Sequence, residues 1–160
     1  MAITTDRTVH LSHSQVSEFT RCPRKYHLHY RPGLPAAFCP SGLLFRSVVH
    51  EAIARYQQAR LEGKEAHLSD LVAACRERWD AEGPPVRAKA GESVGLLMRK
   101  AERLLGCYLS NPHSAGEVLA VEEPFTVELC PGVPPVRGVI DLVERTAEGG
   151  RKSATFPRHI

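Results

Sequence analysis

The stretch VPPVRGVIDLVERT, residues 133–146, decides the fold class of this chain, because it has the pattern of a β-strand with an aspartate near its centre. Side-chain alternation places Asp141 on the same strand face as the two nearest valines. Aspartate is depleted in strands, and a carboxylate among apolar neighbours needs a cation, a metal ion or several donors. Two interpretations stay open. Asp141 either lies on a solvated face, paired with Arg137 or Arg145, or is held in place for a functional site.

A second strand is predicted before this one. The stretch EVLAVEEPFTVELC, residues 117–130, is rich in valine, and the intervening PGVPP is a turn signal, so the two segments predict an antiparallel hairpin. Upstream, apolar residues recur at the three-and-four spacing of amphipathic helices. The predicted helices begin after Ser12, at Pro23, near Leu43, after Ser69 and near Val94. The predicted fold class is therefore α/β, with the helices first and the hairpin last.

Local signals add detail to two of these helices. Ser12 and Gln15 have the spacing of a capping box, and Pro23 is predicted to restart a helix that breaks at Cys22. His50 lies off the apolar stripe of the helix predicted near residues 43–60, so it is not expected in the core. It is either a solvated helix position or a side chain that faces a cleft beside the sheet.

The composition limits the class of protein. The 160 residues suffice for about one domain, and the 42% hydrophobic and 24% charged fractions are typical of globular proteins. No signal sequence and no apolar run long enough to cross a bilayer is recognised, which predicts a cytoplasmic protein without a membrane partner. The five cysteines are widely spaced, so reduced thiols are expected. The net charge of +3 does not by itself indicate a polyanionic partner.

The basic segment RCPRKYHLHYRPG, residues 21–33, interleaves cations with tyrosines. Cations bind phosphates and aromatic rings stack on bases, so this segment is a candidate surface for nucleic acid. The candidate contact residues are Arg21, Arg24, Lys25, Tyr26 and Arg31. The same pattern fits a solvated helix whose tyrosines pack inward, and both interpretations stay open. Zinc binding by the nearby cysteines and histidines is not expected, because their spacing matches no standard finger.

Four stretches, in this order, resemble the RecB-like nuclease domain of the PD-(D/E)XK superfamily. They are LSHSQVSEFTRCPRKYHLHY, VVHEAIARY, VEEPFTVEL and RGVIDLVER, and the resemblance covers about residues 10–148. It implies a partial restriction-endonuclease-like fold and metal-dependent cleavage of DNA, by an exonuclease or endonuclease, in repair or recombination. His50 corresponds to the family's helical ligand and Asp141 to its strand carboxylate, which makes both candidate catalytic and metal-binding residues. The implied cofactor is Mg²⁺ or Mn²⁺, and the implied partners are DNA and a helicase or repair-complex subunit.

The sequence departs from this family after Asp141. Family members continue with a turn and an apolar strand that carries Asp or Glu, any residue and then Lys, whereas this chain continues TAEGGRKSATFPRHI. Glu148 and Lys152 have the wrong spacing for that motif. The Glu-x-Lys at Glu62–Lys64 precedes Asp141 and is interpreted as a chance match.

From this departure we expect an incomplete domain over residues 10–148, a divergent tail over 149–160, and an exposed, unpaired edge along the strand at 136–145. No iron–sulfur cluster is expected. Cys22 resembles the first cysteine of cluster-containing relatives, but their C-terminal trio of cysteines has no counterpart.

Three hypotheses follow, each from a different class. The chain is a truncated nuclease that is weak or inactive alone, an intact non-catalytic member that binds DNA or a repair partner, or a helical interaction module unrelated to nucleases. The nuclease hypothesis predicts that His50 and Asp141 approach one another across a cleft between helix and sheet. The interaction-module hypothesis predicts that they lie far apart.

Overall fold

The computed structural model describes residues 10–30, 37–110, 116–145 and 151–154, with the backbone alone for the last four. The helices in these ranges are α1 (His13–Arg21), α2 (Pro23–Tyr30), α3 (Ser41–Leu61), α4 (Leu68–Asp80) and α5 (Val94–Leu109). The strands are β1 (Cys39–Pro40), β2 (Val86–Arg87), β3 (Glu117–Val127), β4 (Val136–Arg145) and β5 (Arg151–Ala154). The predicted α/β class is confirmed, with the antiparallel hairpin of β3 and β4 after the helices. A short parallel pair, β1 with β2, was not predicted.

The capping box at the start of α1 is confirmed. The backbone N–H of Gln15 donates to the Ser12 hydroxyl at 3.3 Å, and the Ser12 N–H donates to the Gln15 side-chain oxygen at 2.8 Å. Cys22 is extended and ends α1, and Pro23 begins α2, as the sequence indicates. The prediction that Ser69 caps α4 is wrong. The N-cap is His67, and the Ser69 hydroxyl donates to Asp70 within the helix.

The hydrophobic core lies between α3, α4 and α5. Its buried residues are Leu44, Val48, Ala52, Leu71, Cys75, Trp79, Leu97, Met98, Ala101 and Leu105. Fully burying a large apolar side chain of this kind contributes about 1.5–3 kcal/mol, so this cluster is the main source of stability in the helical layer. Helix α3 packs against α4 and α5 on one side and against β3 on the other. This central position is what brings α3 side chains to the sheet.

The sheet has the order β3-β4-β5, with both pairs antiparallel. The expected unpaired edge of β4 is wrong for its last four residues, because Leu142 to Arg145 pair with β5. The start of β4 is bridged by Leu11, whose N–H donates to Pro135 and whose carbonyl accepts from Arg137. Strand β5 was missed because it is short and lacks apolar alternation, whereas ladder pairing requires only backbone groups.

The hairpin is closely packed where Phe125 lies opposite Gly138. A Cβ atom at residue 138 would stand 2.5 Å from the Phe125 ring. Glycine at this position therefore leaves room for the Phe125 ring to lie across the neighbouring strand.

Among the described helices, none is both long enough and apolar enough to cross a membrane.

Candidate functional site

His50 and Asp141 lie side by side, as the nuclease hypothesis predicts. The Nε2 atom of His50 on α3 is 3.3 Å from Oδ1 of Asp141 on β4. The Asp141 side chain is only 2% exposed, so the first interpretation of this carboxylate, a solvated strand face, is wrong. The short distance also contradicts the interaction-module hypothesis, which requires the two residues to lie far apart.

Glu122 on β3 is the third member of the site. Its Oε1 atom is 3.7 Å from Nδ1 of His50, so the two ring nitrogens of the histidine face two different carboxylates. The strand register pairs Val121 with Leu142 and Glu123 with Ile140, which places Glu122 at the level of Asp141. Its φ angle is 52°, in the left-handed region, and a register shift interrupts the ladder shortly before it. Residues in this conformation carry strain and concentrate at functional sites.

The geometry of these three residues fits a divalent metal ion. Each offers one ligand atom, and the three atoms lie within 4.8 Å of one another. Metal–oxygen bonds are about 2.0–2.6 Å long for Mg²⁺ and Ca²⁺, so one ion between the ligands can span this separation. Two carboxylates and one imidazole form a mixed oxygen and nitrogen set that also suits Mn²⁺. Among the described residues, no other such group of three was found.

The sequence contained a signal for Glu122, but not one that singled it out. An acidic residue within a valine-rich strand raises the same question as Asp141. However, Glu122 and Glu123 are adjacent, and alternation alone does not decide which of them faces the helix. The left-handed backbone of Glu122 and the register shift before it set the orientation of its side chain. Neither feature is indicated by a pattern in the sequence.

A groove of about 430 Å³ opens beside this cluster and runs along α3. It is lined by Glu51, Ala54, Arg55, Gln58, Ala59, Glu62, Lys64, Val121 and Glu122. Both of its cations are paired, Arg55 with Glu51 at 2.8 Å and Lys64 with Glu62 at 2.6 Å. Apart from Glu122, the charges that line the groove therefore balance, and only its Glu122 end belongs to the candidate metal site.

The lysine of β5 lies away from the cluster. The register of β5 places Lys152 opposite Glu144, three residues beyond Asp141 and about 10 Å along the strand. Glu62 follows the last residue of α3, about 18 Å of helix beyond His50, and Lys64, which is paired with Glu62, lines the same groove as Glu122. Glu148 lies outside the described residues. Strand β5 contains no acidic residue, so within the described part of the chain it adds no carboxylate to the site.

The candidate nucleic-acid residues lie on the α1–α2 hairpin. Arg21 ends α1, Arg24 and Lys25 are exposed on α2, and Arg31 lies outside the described residues. The ring of Tyr26 is half-buried between two others, with centroid distances of 5.5 Å to Phe19 and 4.7 Å to Tyr30. This contact fits the interpretation in which the tyrosines of the segment pack inward.

Glu18 neutralises part of this basic surface. Its carboxylate lies 3.0 Å from Lys25 Nζ and 2.7 Å from His29 Nδ1. Partial burial acts to raise the pKa of Glu18, but the hydrogen bonds from Lys25 and His29 outweigh it and lower that pKa. Glu18 is therefore ionised near neutral pH, and Lys25 is less available for a phosphate than Arg21 and Arg24, the other candidate cations that the structure describes.

Comparison with known proteins agrees with this geometry. The family profile of the PD-(D/E)XK nuclease superfamily matches residues 10–154, a range that includes His50, Glu122, Asp141 and β5. Searches of curated proteins and of solved structures gave no significant match. The profile covers nearly the whole sequence, and the chain therefore belongs to the PD-(D/E)XK nuclease superfamily.

Proposed function

We propose that this protein is a RecB-like, metal-dependent nuclease domain that acts on DNA phosphodiester bonds in repair or recombination. One observation carries the proposal. His50, Glu122 and Asp141 come from a helix and two strands, yet their ligand atoms converge within 4.8 Å. The superfamily match supplies the DNA substrate class. Exonuclease or endonuclease action, a helicase or repair-complex partner and a cytoplasmic location are parts of the same proposal.

The chain's own residues would hold the ion and the substrate in place. Glu122 and Asp141 provide two negative charges for a divalent cation, and His50 provides a nitrogen ligand. A bound Mg²⁺ or Mn²⁺ polarises a phosphoryl oxygen and lowers the pKa of a bound water. Because Asp141 is nearly inaccessible, its carboxylate is kept in a fixed position against the helix.

We further propose that turnover by this chain is slow. Strand β5 carries no carboxylate, and its lysine is displaced along the strand from Asp141. Without a lysine beside the attacking water, loss of general-base assistance lowers the rate by about 10²–10⁴-fold. The same observation favours the second candidate function, a non-catalytic DNA-binding member of the superfamily.

Metal binding is the decisive test. Mn²⁺ should raise the melting temperature of the purified chain in proportion to the logarithm of its concentration, and more strongly than Mg²⁺, because the imidazole ligand favours Mn²⁺. Asp141→Ala and His50→Ala should abolish the shift. Asp80→Ala, which removes an exposed aspartate at the end of α4, is the matched control and should retain it. An equal Mn²⁺ shift in the Asp141→Ala variant would refute the proposed site.

Cleavage distinguishes the two candidate functions. Linear duplex, circular and single-stranded DNA should be incubated with Mn²⁺ over hours, with Asp141→Ala in parallel. Slow cleavage that is lost in the variant supports the nuclease. Metal and DNA binding without any cleavage supports the non-catalytic member.

A further inference from the structure

Arg46 occupies the same stripe of α3 as the metal-site histidine. Residues 46, 50, 53, 57 and 60 recur at spacings of four and three, which places them on one face of a helix. This face meets the sheet, because His50 contacts Asp141 and Arg60 contacts Glu144. Arg46 therefore lies on the sheet side of α3, about 6 Å of helix rise before His50.

The guanidinium of Arg46 contains an unsatisfied donor. Its Nη1 atom is buried and has no hydrogen-bond partner, although the residue as a whole is half-buried. The other arginine of this stripe, Arg60, donates to Gln57, Glu144 and Gly116. A charged donor withdrawn from water without an acceptor is unfavourable, and a guanidinium stays charged at all accessible pH values. The missing acceptor is thus expected to be an anion.

We propose that Arg46 is a substrate-binding residue whose guanidinium turns out of this buried, unsatisfied position to donate to a non-bridging oxygen of the DNA phosphate held at the metal site. This inference rests on the proposed function and adds to it a specific contact with the substrate. The planar fork of arginine matches the geometry of a phosphate group. A cation one helical turn from His50 would also offset the charge that two carboxylates place beside the phosphate. Arginine would not replace the missing lysine as a base, since it does not release its proton.

DNA binding without cleavage provides the test. The affinity of the intact chain for a fluorescent oligonucleotide should be measured by anisotropy in Ca²⁺, over a series of salt concentrations. Replacing Arg46 by Met or Gln should weaken binding about tenfold and reduce the salt slope by about one unit, because one phosphate contact is lost. Arg103→Met removes an exposed arginine of α5 and is the matched control, with affinity and slope both unchanged.

Two further measurements make the outcome specific. Melting temperatures show which of the two Arg46 variants is folded, and Mn²⁺ affinity should be unchanged in it, because Arg46 holds no metal. If the parent chain does not bind Mn²⁺, the proposed function fails. If it binds Mn²⁺ and a folded Arg46 variant keeps the parental affinity and salt slope for DNA, the Arg46 proposal alone fails.

Discussion

Glu122 shows how much of the site depends on the conformation of one residue. Among the described non-glycine residues it is the one with a positive φ, and it supplies the third ligand atom of the candidate metal site. His50 and Asp141 became candidates through the resemblance to RecB-like nucleases, because their residue types and positions alone left a solvated side chain open for each. Glu122 could not be singled out, since its orientation results from a left-handed backbone within a strand.

Replacing Glu122 separates the strain of this backbone from the function of its side chain. Glu122→Gly should be more stable than Glu122→Ala by about 1 kcal/mol, because glycine adopts the left-handed region without a Cβ clash. Both variants should lose the stabilisation by Mn²⁺. Urea unfolding with and without Mn²⁺ measures both effects.

Glu123 is the matched control for this pair of substitutions. It follows Glu122 in β3, pairs with Ile140 and has no positive φ. At this position the order should reverse, with Gly less stable than Ala. The same order at both positions would show that the φ of residue 122 carries no strain.

At the scale of elements, the α1–α2 hairpin combines partly buried rings with an exposed basic surface. The edge-to-face contact of Phe19 with Tyr26 and the ion pairs of Glu18 hold the two helices together, whereas Arg21 and Arg24 are exposed. The sequence allowed two interpretations of this segment, tyrosines that pack inward and cations that bind phosphate. In this arrangement the two interpretations are compatible.

The salt dependence of DNA binding tests this surface. Replacing both Arg21 and Arg24 by glutamine should reduce the slope of log affinity against log salt by about two units. Lys25→Gln should change it less, because the ammonium of Lys25 is already paired with Glu18. The double variant Arg76→Gln, Arg103→Gln on α4 and α5 is the control. A slope that is unchanged by loss of Arg21 and Arg24 would leave these residues as a solvated face.

The elements that could be predicted are those with a strong internal pattern. The five helices carry amphipathic spacing or caps, and the β3–β4 hairpin carries valine-rich runs around a turn signal. Strands β1, β2 and β5 are two to four residues long, and their pairing is set by what the longer elements place beside them. The prediction that Ser69 caps α4 failed because the actual N-cap, His67, makes no side-chain capping hydrogen bond and so leaves no capping signal in the sequence.

At the scale of the whole molecule, Arg60 joins the helical layer to the sheet. It extends from α3 and donates to the carbonyl of Gly116 at 2.8 Å and to the side chains of Gln57 and Glu144. Gln57 is buried and in turn donates to Tyr108 of α5 at 2.6 Å. This network aligns α3 with β3 and β4, and the same alignment brings His50 to Asp141.

Arg60→Met should therefore lower both stability and metal affinity. We expect a loss of about 2 kcal/mol in the free energy of unfolding, because Glu144 is left half-buried without its cation and Gly116 without its donor. The double variant Arg60→Met, Glu144→Gln should recover part of this loss. Urea unfolding and Mn²⁺ titration provide the measurements, with Arg103→Met as control. Unchanged Mn²⁺ affinity in a destabilised Arg60→Met variant would show that the network holds the layers together without aligning the site.

The contact between Phe125 and Gly138 couples the changes that these two positions can accept during evolution. Any side chain added at residue 138 would meet the Phe125 ring at 2.5 Å, so the ring, which is 39% exposed, would have to turn towards solvent and lose its packing across the hairpin. A smaller residue at 125 removes this cost, because it leaves space that a side chain at 138 can fill. Related sequences should therefore combine an aromatic residue at 125 with glycine at 138 more often than with a larger residue there, and the two positions should vary as a pair.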